Sequence, residues 1–172
     1  MSAPTTLVLV GPMGAGKSSV GKELARRLGG MVLDTDEHVE NQTTTSVAEI
    51  FAAQGEETFR RYELVALEHA IVARYLVVAT GGGIVTTQEA LEILKRHHGV
   101  VFLDVSLEVA LDRVRGDDHV RPLLSGDDEA AMKAIMDQRR PLYEEAADLT
   151  VVTNNRSIEQ ITDAIMTWVS DQ

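Results

Sequence analysis

Short apolar runs alternate along the chain with longer amphipathic segments. The runs are rich in Val and Leu and nearly continuous, as in strands that are buried on both faces, whereas the segments between them repeat their apolar residues at helical spacing. The runs are Thr5–Val10, Met31–Leu33, Leu76–Ala79, Val100–Val105 and Leu149–Val152. The alternation predicts an α/β fold of three layers, α/β/α, around a parallel sheet of five strands with right-handed crossovers.

Three helix starts are marked by a hydroxyl residue followed three positions later by Glu or Gln. In such a capping box the hydroxyl accepts a hydrogen bond from the third backbone N–H, and the longer side chain reaches back to the first. The three pairs are Ser46 with Glu49, Thr86 with Glu89, and Ser157 with Gln160. We therefore expect a helix to begin directly after each hydroxyl residue.

Length, charge and composition narrow the class of protein. A chain of 172 residues with 44% hydrophobic residues can bury one core, so we expect a single domain over residues 1–172, and a monomer. The net charge of −11 and the aromatic content of 4% argue against nucleic-acid binding, which needs basic surfaces and stacking side chains. The absence of cysteine excludes thiol chemistry. The first apolar run is too short for a signal peptide or a membrane span, which predicts a cytoplasmic protein without membrane contact.

A glycine-rich segment follows the first predicted strand. Gly11–Ser18 fits the pattern G-x-x-x-x-G-K-[ST] of a phosphate-binding loop (P-loop), and a helical pattern begins directly after it. The curled backbone of such a loop points its N–H groups at phosphate oxygens, and the helix dipole adds to their attraction. Lys17 would neutralise the β and γ phosphates of ATP, and the Ser18 hydroxyl would bind Mg²⁺. We expect the nucleotide to contact Gly14, Ala15, Gly16, Lys17, Ser18 and Ser19.

Two acidic residues, Asp34 and Asp36, follow the second predicted strand. Side chains two apart on a strand project to the same side, so both carboxylates are expected to face one site at the carboxyl edge of the sheet. Asp34 would hold Mg²⁺ through its water shell, and Asp36 would accept the proton of an attacking hydroxyl. The alternative interpretation is a solvated strand end or a cap for the next helix.

Two further strand ends carry candidate chemistry. The third predicted strand continues into Gly81, Gly82 and Gly83, where bare backbone can approach a ligand closely. The fourth ends at Asp104, which is an alternative candidate for the metal-binding acid of a P-loop protein. The sequence leaves open whether Asp34 or Asp104 serves the metal.

The ordered set of motifs resembles the shikimate kinase family over nearly the whole chain. The motifs are the P-loop, Asp34-Thr-Asp36, Phe59-Arg60-Arg61, Gly81-Gly-Gly83, Arg121-Pro-Leu-Leu124 and Arg139-Arg-Pro-Leu-Tyr143. The resemblance implies a small P-loop kinase with a five-stranded parallel sheet, a substrate-binding region at about 34–61 and a mobile lid at about 114–126. It also implies the reaction of ATP with shikimate to ADP and 3-phosphoshikimate, a step of aromatic amino acid biosynthesis.

The resemblance also implies roles for single residues. The side chains of Asp36, Arg60 and Arg139 would hold shikimate, and the backbone of Gly81–Gly83 would approach it closely. Guanidinium groups suit carboxylates geometrically. Helical spacing places Arg60 and Arg61 about 100° apart, so the choice of Arg60 depends on the resemblance.

Three arginines are candidates for contacts with the nucleotide. By the same resemblance Arg121 would reach the phosphates from the lid, and Arg113 or Arg115, of which we favour Arg115, would contact the adenine. Arg156 and Ile158 would stack on the adenine from the loop after the last strand, where the proline often found in the family is missing.

Two other functions remain open at this stage. A related small-molecule kinase, such as one acting on gluconate, would share the P-loop but use a different substrate region. A nucleotide-dependent switch module would use Asp104 as its metal ligand and would have no small-molecule acceptor. A GTPase of that kind would also need a guanine-reading Asn-Lys-x-Asp, whereas the last strand is followed by Thr153-Asn-Asn-Arg156.

Overall fold

A computed structural model describes residues 6–74, 76–115 and 128–172. Strands and helices alternate through most of these residues. The strands are β1 (Leu7–Val10), β2 (Val32–Asp34), β3 (Val77–Ala79), β4 (Val100–Asp104) and β5 (Leu149–Val152). The helices are α1 (Lys17–Leu28), α2 (Thr35–Thr43), α3 (Val47–Val72), α4 (Gln88–Arg96), α5 (Leu107–Arg115), α6 (Asp128–Ala146) and α7 (Ile158–Ser170). A 3₁₀ turn, Ile84–Thr86, precedes α4.

The five strands form one parallel sheet in the order β2-β3-β1-β4-β5. This confirms the predicted architecture, with strand ends that differ from the predicted ones by at most two residues. Because all strands run the same way, the ends of β1, β2 and β3 meet at one edge. The P-loop, the acidic residues and the three glycines therefore come together although 70 residues separate them in sequence.

Hydrophobic cores cover both faces of the sheet, as the continuous apolar runs predict. On β1, Leu7 and Leu9 belong to one core cluster, and Val8 and Val10 belong to the other. The first cluster also contains residues of α1, α5 and α7, and the second contains residues of α3 and α4. Helix α6 contributes to both. The sheet is thus the middle of three layers.

Two of the three predicted capping boxes are present. Ser46 and Glu49 cap α3 reciprocally, and Ser157 and Gln160 do the same for α7. The prediction for Thr86 is wrong, because its hydroxyl donates to the carbonyl of Gly83 within the 3₁₀ turn. The Thr86 hydroxyl is therefore bonded within the turn and does not cap α4. Helix α4 begins one residue later than predicted, after Thr87, without a side-chain cap.

Helices α2 and α3 form a small subassembly beside the edge of the sheet. A third hydrophobic cluster joins them through Val39, Ile50, Phe59 and Ala66. Helix α3 bends at Gly55, whose φ of 83° and ψ of 167° are not helical. Beyond the bend α3 carries its side chains toward the three-glycine segment. None of the helices in the described residues is long and apolar enough to cross a membrane.

Candidate active site

A cavity of about 490 Å³ lies at the carboxyl edge of the sheet, above the P-loop. It is bounded by the P-loop and the start of α1 on one side, and by the end of α5 and the start of α7 on the other. The predicted site residues that line it are Gly14, Ala15, Gly16, Lys17, Ser18, Ser19, Asp34, Asp36 and Arg156. One cavity therefore collects nearly all the residues that the sequence assigned to the nucleotide and the metal.

The glycines of the P-loop have conformations and contacts that other residues would not tolerate. Gly14 has a φ of +77°, and a Cβ atom there would lie 2.7 Å from the carbonyl oxygen of Ala110. Gly16 has a φ of +93° and leads into α1. Lys17 begins that helix, is 9% exposed, and its Nζ donates to the carbonyls of Gly11 and Pro12, both at 2.8 Å. The ammonium group is thereby held over the loop.

Ser18 and Asp34 join the P-loop to the end of β2. The Ser18 hydroxyl donates to Oδ2 of Asp34 at 2.5 Å. The other carboxylate oxygen of Asp34 caps α2 by accepting from the backbone N–H groups of Asp36 and Glu37. Asp34 therefore caps α2, as the alternative interpretation expected, and it also faces the cavity, while its role as a magnesium ligand stays a prediction.

The position of Asp36 corrects one step of the sequence argument. Strand β2 ends at Asp34, and Asp36 lies in the first turn of α2. The two-residue alternation of a strand therefore does not apply between them. Asp36 still lines the cavity because the first turn of α2 stays at the sheet edge.

Arg113 occupies the place that the prediction gave to Arg115. Its guanidinium donates to the carbonyl of Gly14 at 3.0 Å and to the hydroxyl and carbonyl of Thr153 at 3.1 and 3.0 Å. Arg113 and Ile158 line the cavity, whereas Arg115 is exposed and is not among the described residues that line it. Arg121 and most of the predicted lid lie outside the described residues.

A cluster of charged side chains lies beside the nucleotide cavity, against the three glycines. Arg60 is 9% exposed, and its guanidinium forms ion pairs with Glu56 and Glu63. A Cβ atom at Gly83 would lie 2.0 Å from Nη2 of Arg60, so a side chain there would displace the guanidinium from its present position. Arg61, by contrast, points outward and pairs with Glu57 with its side chain 75% exposed. Of the two neighbouring arginines, Arg60 is therefore the one that faces the three-glycine segment.

Helix α6 brings Arg139 to the same cluster. Nη1 of Arg139 donates to the carbonyl of Gly82 at 3.2 Å, and its buried Nε has no hydrogen-bond partner among the described residues. The hydroxyl of Tyr143, one turn later, donates to the same carbonyl. Tyr143 is 1% exposed and stacks on Phe102 at 5.1 Å between ring centroids. It therefore fixes α6 on the glycine segment.

Glu63 is a site residue that the sequence analysis missed. It is 0% exposed and one helical turn beyond Arg60. Burial raises the pKa of Glu63 to about 7, against the opposing charge of Arg60, and the charge of Asp36 adds to the rise. Its spacing of three from Arg60 was a visible signal, but the same spacing is common among exposed ion pairs on helices.

Asp104 ends β4 as predicted, but its carboxylate forms an ion pair with the guanidinium of Arg140. Arg140 donates to both carboxylate oxygens of Asp104 at 2.8 and 2.6 Å and also pairs with Glu144. The Ser18 hydroxyl bonds to Asp34 and not to Asp104. The structure therefore favours Asp34 as the acid next to the P-loop hydroxyl.

The sheet order and the glycine-rich loop that leads into α1 define a P-loop nucleotide-binding fold. The shikimate kinase family model matches residues 13–170. A shikimate kinase of Symbiobacterium thermophilum is 45% identical over 162 residues, which cover 93% of either chain. One of Parasynechococcus marenigrum is 48% identical over 94% of this chain and 84% of its own.

A solved structure agrees with these relatives. The shikimate kinase of Acinetobacter baumannii in complex with shikimate superposes with a TM-score of 0.91 at 37% identity, over 98% of this chain and 94% of the other. The similarity covers the sheet, the P-loop and all the helices described above. The chain belongs to the shikimate kinase family.

Proposed function

We propose that this protein is an ATP-dependent kinase that transfers the γ-phosphate to the 3-hydroxyl of shikimate. The observation that carries the proposal is the pair of guanidinium groups, Arg60 and Arg139, held against the three-glycine segment next to the P-loop. Two arginines at a bare backbone segment form a site for a compact carboxylate. The A. baumannii enzyme, which is similar over nearly the whole chain, has shikimate bound.

In the proposed reaction the P-loop residues bind and orient ATP. The backbone of Gly14–Ser19 contacts the phosphates, and Lys17 neutralises the β and γ phosphates. The ammonium of Lys17 exchanges its contacts with the Gly11 and Pro12 carbonyls for phosphate oxygens. Arg113 and Arg156 face the nucleoside, because both line the cavity. Arg115 is exposed and does not line it, so Arg113 is the better candidate for the adenine contact.

Ser18 and Asp34 fit a magnesium ion. A hydroxyl and a carboxylate, 2.5 Å apart at the start of a helix, supply the oxygen ligands that Mg²⁺ takes, either directly or through water. Bound by Ser18 and Asp34, the ion would supply positive charge that offsets the negative charge of the ATP phosphates.

On the acceptor side, Arg60 and Arg139 hold the carboxylate of shikimate, and Gly81–Gly83 lets the ring approach the backbone. Asp36 orients the 3-hydroxyl toward the γ-phosphate and accepts its proton. The new O–P bond forms as the bond between the γ-phosphorus and the β-phosphate oxygen breaks, and ADP leaves with that oxygen. Arg121 is proposed to reach the transferring phosphoryl group from the lid at about 114–126. Most of the catalysis then comes from positioning and charge stabilisation.

Three broader predictions accompany this function. We propose that residues 1–172 form one domain that works as a monomer, with a substrate-binding region at about 34–61 that Glu63, Gly81–Gly83 and Arg139 complete. A cytoplasmic location and the absence of nucleic-acid partners stay predictions from composition. ATP and shikimate are the proposed small-molecule partners.

The test is ADP formation with Mg²⁺, measured with shikimate, with gluconate and without an acceptor. We expect shikimate alone to raise the rate at least 100-fold over the background, with ³¹P NMR showing a phosphate monoester on the 3-oxygen. Asp36→Asn should abolish the stimulation. Equal turnover without an acceptor would favour the nucleotide switch, and stimulation by gluconate would favour the other kinase.

A further inference from the structure

Glu63 stands out among the buried charged residues because only half of its carboxylate has a partner. Oε2 pairs with Arg60, while Oε1 is buried and has no hydrogen-bond partner among the described residues. Oε1 points at the three-glycine segment, since a Cβ atom at Gly81 would lie 2.1 Å from it. An ionised carboxylate oxygen is costly to bury, so the charge of Glu63 depends on the charges around it.

The groups that face Glu63 come from three helices. Within the described residues they are Arg60 on α3, Asp36 on α2, and Arg139 and Tyr143 on α6. Oδ1 of Asp36 flanks the same point beside Gly81, at 2.7 Å from the Cβ position that Glu63 approaches. Glu56 shares Arg60 from the solvent side, with its side chain 53% exposed.

The charges of this cluster balance only while it is empty. Arg60 and Arg139 are positive, Asp36 and ionised Glu63 are negative, and Tyr143 is neutral because burial raises its pKa to about 12. A substrate carboxylate between the two arginines adds one negative charge within a few ångströms of Glu63. A like charge at that distance disfavours the ionised form of a buried carboxyl group.

We propose that Glu63 takes up a proton when the protein binds shikimate, so that the occupied site holds a neutral carboxylic acid beside Asp36. This inference rests on the proposed function. One proton from solvent joins Oε1 of Glu63, no other bond changes, and the net charge of the occupied cluster returns to that of the empty one. Glu63 thereby tunes the site to a singly charged anion.

The direction of the pH dependence follows from the two states of Glu63. In the empty site its pKa is about 7, since burial raises it, and the added carboxylate raises it further. Binding is therefore strongest below pH 7 and weakens as pH rises from 7 toward the pKa of the complex. Uptake at pH 7.5 is therefore a fraction of one proton, and the Kd rises as the pH increases from 7 to 8.5.

Isothermal titration calorimetry of the full chain with shikimate tests the proposal. The observed enthalpy is measured at pH 7.5 in phosphate, HEPES and Tris, and its slope against the ionisation enthalpy of the buffer counts the protons. We expect uptake of a fraction of one proton for the wild type and none for Glu63→Gln. Glu56→Gln is the matched control, because it removes the other partner of Arg60 and should leave the proton count unchanged.

The outcomes separate this inference from the proposed function. No binding at millimolar shikimate would contradict the function itself. Binding of shikimate with no proton uptake, or uptake that persists in Glu63→Gln, would overturn the role of Glu63 alone. If Glu63→Gln does not fold, Glu63→Asp replaces it: a proton on this residue shifts the pH of half-maximal uptake, and an origin elsewhere leaves that pH unchanged.

Discussion

The two halves of the site are built in different ways. The nucleotide half is almost continuous in sequence: Gly11–Ser19 supplies the loop, the ammonium group and the hydroxyl. The acceptor half is assembled from the first turn of α2, the middle of α3, the glycines after β3 and the last turns of α6. The first half depends on local backbone conformation, and the second depends on the packing of three helices against a glycine segment.

This difference separates two kinds of glycine. Gly14 and Gly16 are required for their own backbone angles, with φ values of +77° and +93°. Gly81 and Gly83 have no positive φ, and a side chain at either position would instead displace the carboxylate of Glu63 or the guanidinium of Arg60. Substitutions in the nucleotide half should therefore change the binding of ATP and the rate of phosphoryl transfer. Those in the acceptor half should change the affinity for shikimate.

The largest expected effect is the loss of Lys17. Lys17→Met removes the buried ammonium group proposed to bind the phosphates. We expect kcat to fall about 10³-fold, because Arg113, another described cation at the loop, is held by the carbonyls of Gly14 and Thr153. Affinity for shikimate, measured by calorimetry without nucleotide, should stay within about twofold. Lys22→Met is the matched control, since Lys22 lies on the same helix with its side chain 62% exposed and pairs with Glu37. A similar loss of kcat in Lys22→Met would contradict this role, because it would mean that the net charge of α1, and not a direct contact of Lys17 with the phosphates, determines the rate.

A second comparison sets the two acids at strand ends against each other. Asp34→Asn weakens the ligand set next to Ser18, so we expect kcat to fall about 100-fold and the Mg²⁺ requirement to rise. Asp104→Asn loses only the pair with Arg140, which is half exposed, and should cost less than about threefold. Initial rates at varied Mg²⁺ distinguish them. A larger effect at Asp104 would revive the nucleotide switch with Asp104 as its metal ligand.

Substitutions at the neighbouring residues Arg60 and Arg61 on α3 should affect the binding of shikimate to different extents. Arg60→Lys keeps the charge but loses the fork that holds Glu63 and a carboxylate, so we expect the KM for shikimate to rise about 30-fold. The KM for ATP should change less than about twofold. Arg61→Lys changes an exposed pair and should be silent in both. Equal effects at the two positions would mean that α3 is turned differently on the sheet.

The same division decides what could be predicted from the sequence. The sheet and the P-loop were predictable because alternating apolar runs and a contiguous motif specify them locally. Asp36 was assigned to the correct edge through the wrong element, since no pattern shows that β2 stops at Asp34 and α2 begins at once. Glu63 was missed because its burial depends on Gly81 and Arg60, and no local rule distinguishes it from an exposed helical ion pair.

Alanine substitutions in the three-glycine segment have the smallest expected effects, but they test the division most directly, because Gly81 and Gly82 face different halves of the site. A Cβ atom at Gly81 would press on the carboxylates of Glu63 and Asp36, whereas one at Gly82 would lie 3.4 Å from the backbone N of Met13 in the P-loop. We expect Gly81→Ala to raise the KM for shikimate about tenfold by displacing Glu63 from Arg60.

Gly82→Ala should instead raise the KM for ATP by at most about threefold and leave that for shikimate unchanged, because its Cβ atom would make only van der Waals contact with the P-loop. Steady-state kinetics with each substrate varied in turn measure both. The same substrate affected by both substitutions would contradict the division, because it would mean that the glycine segment moves as one unit. Opposite substrates would place the boundary between the two halves at a single peptide bond.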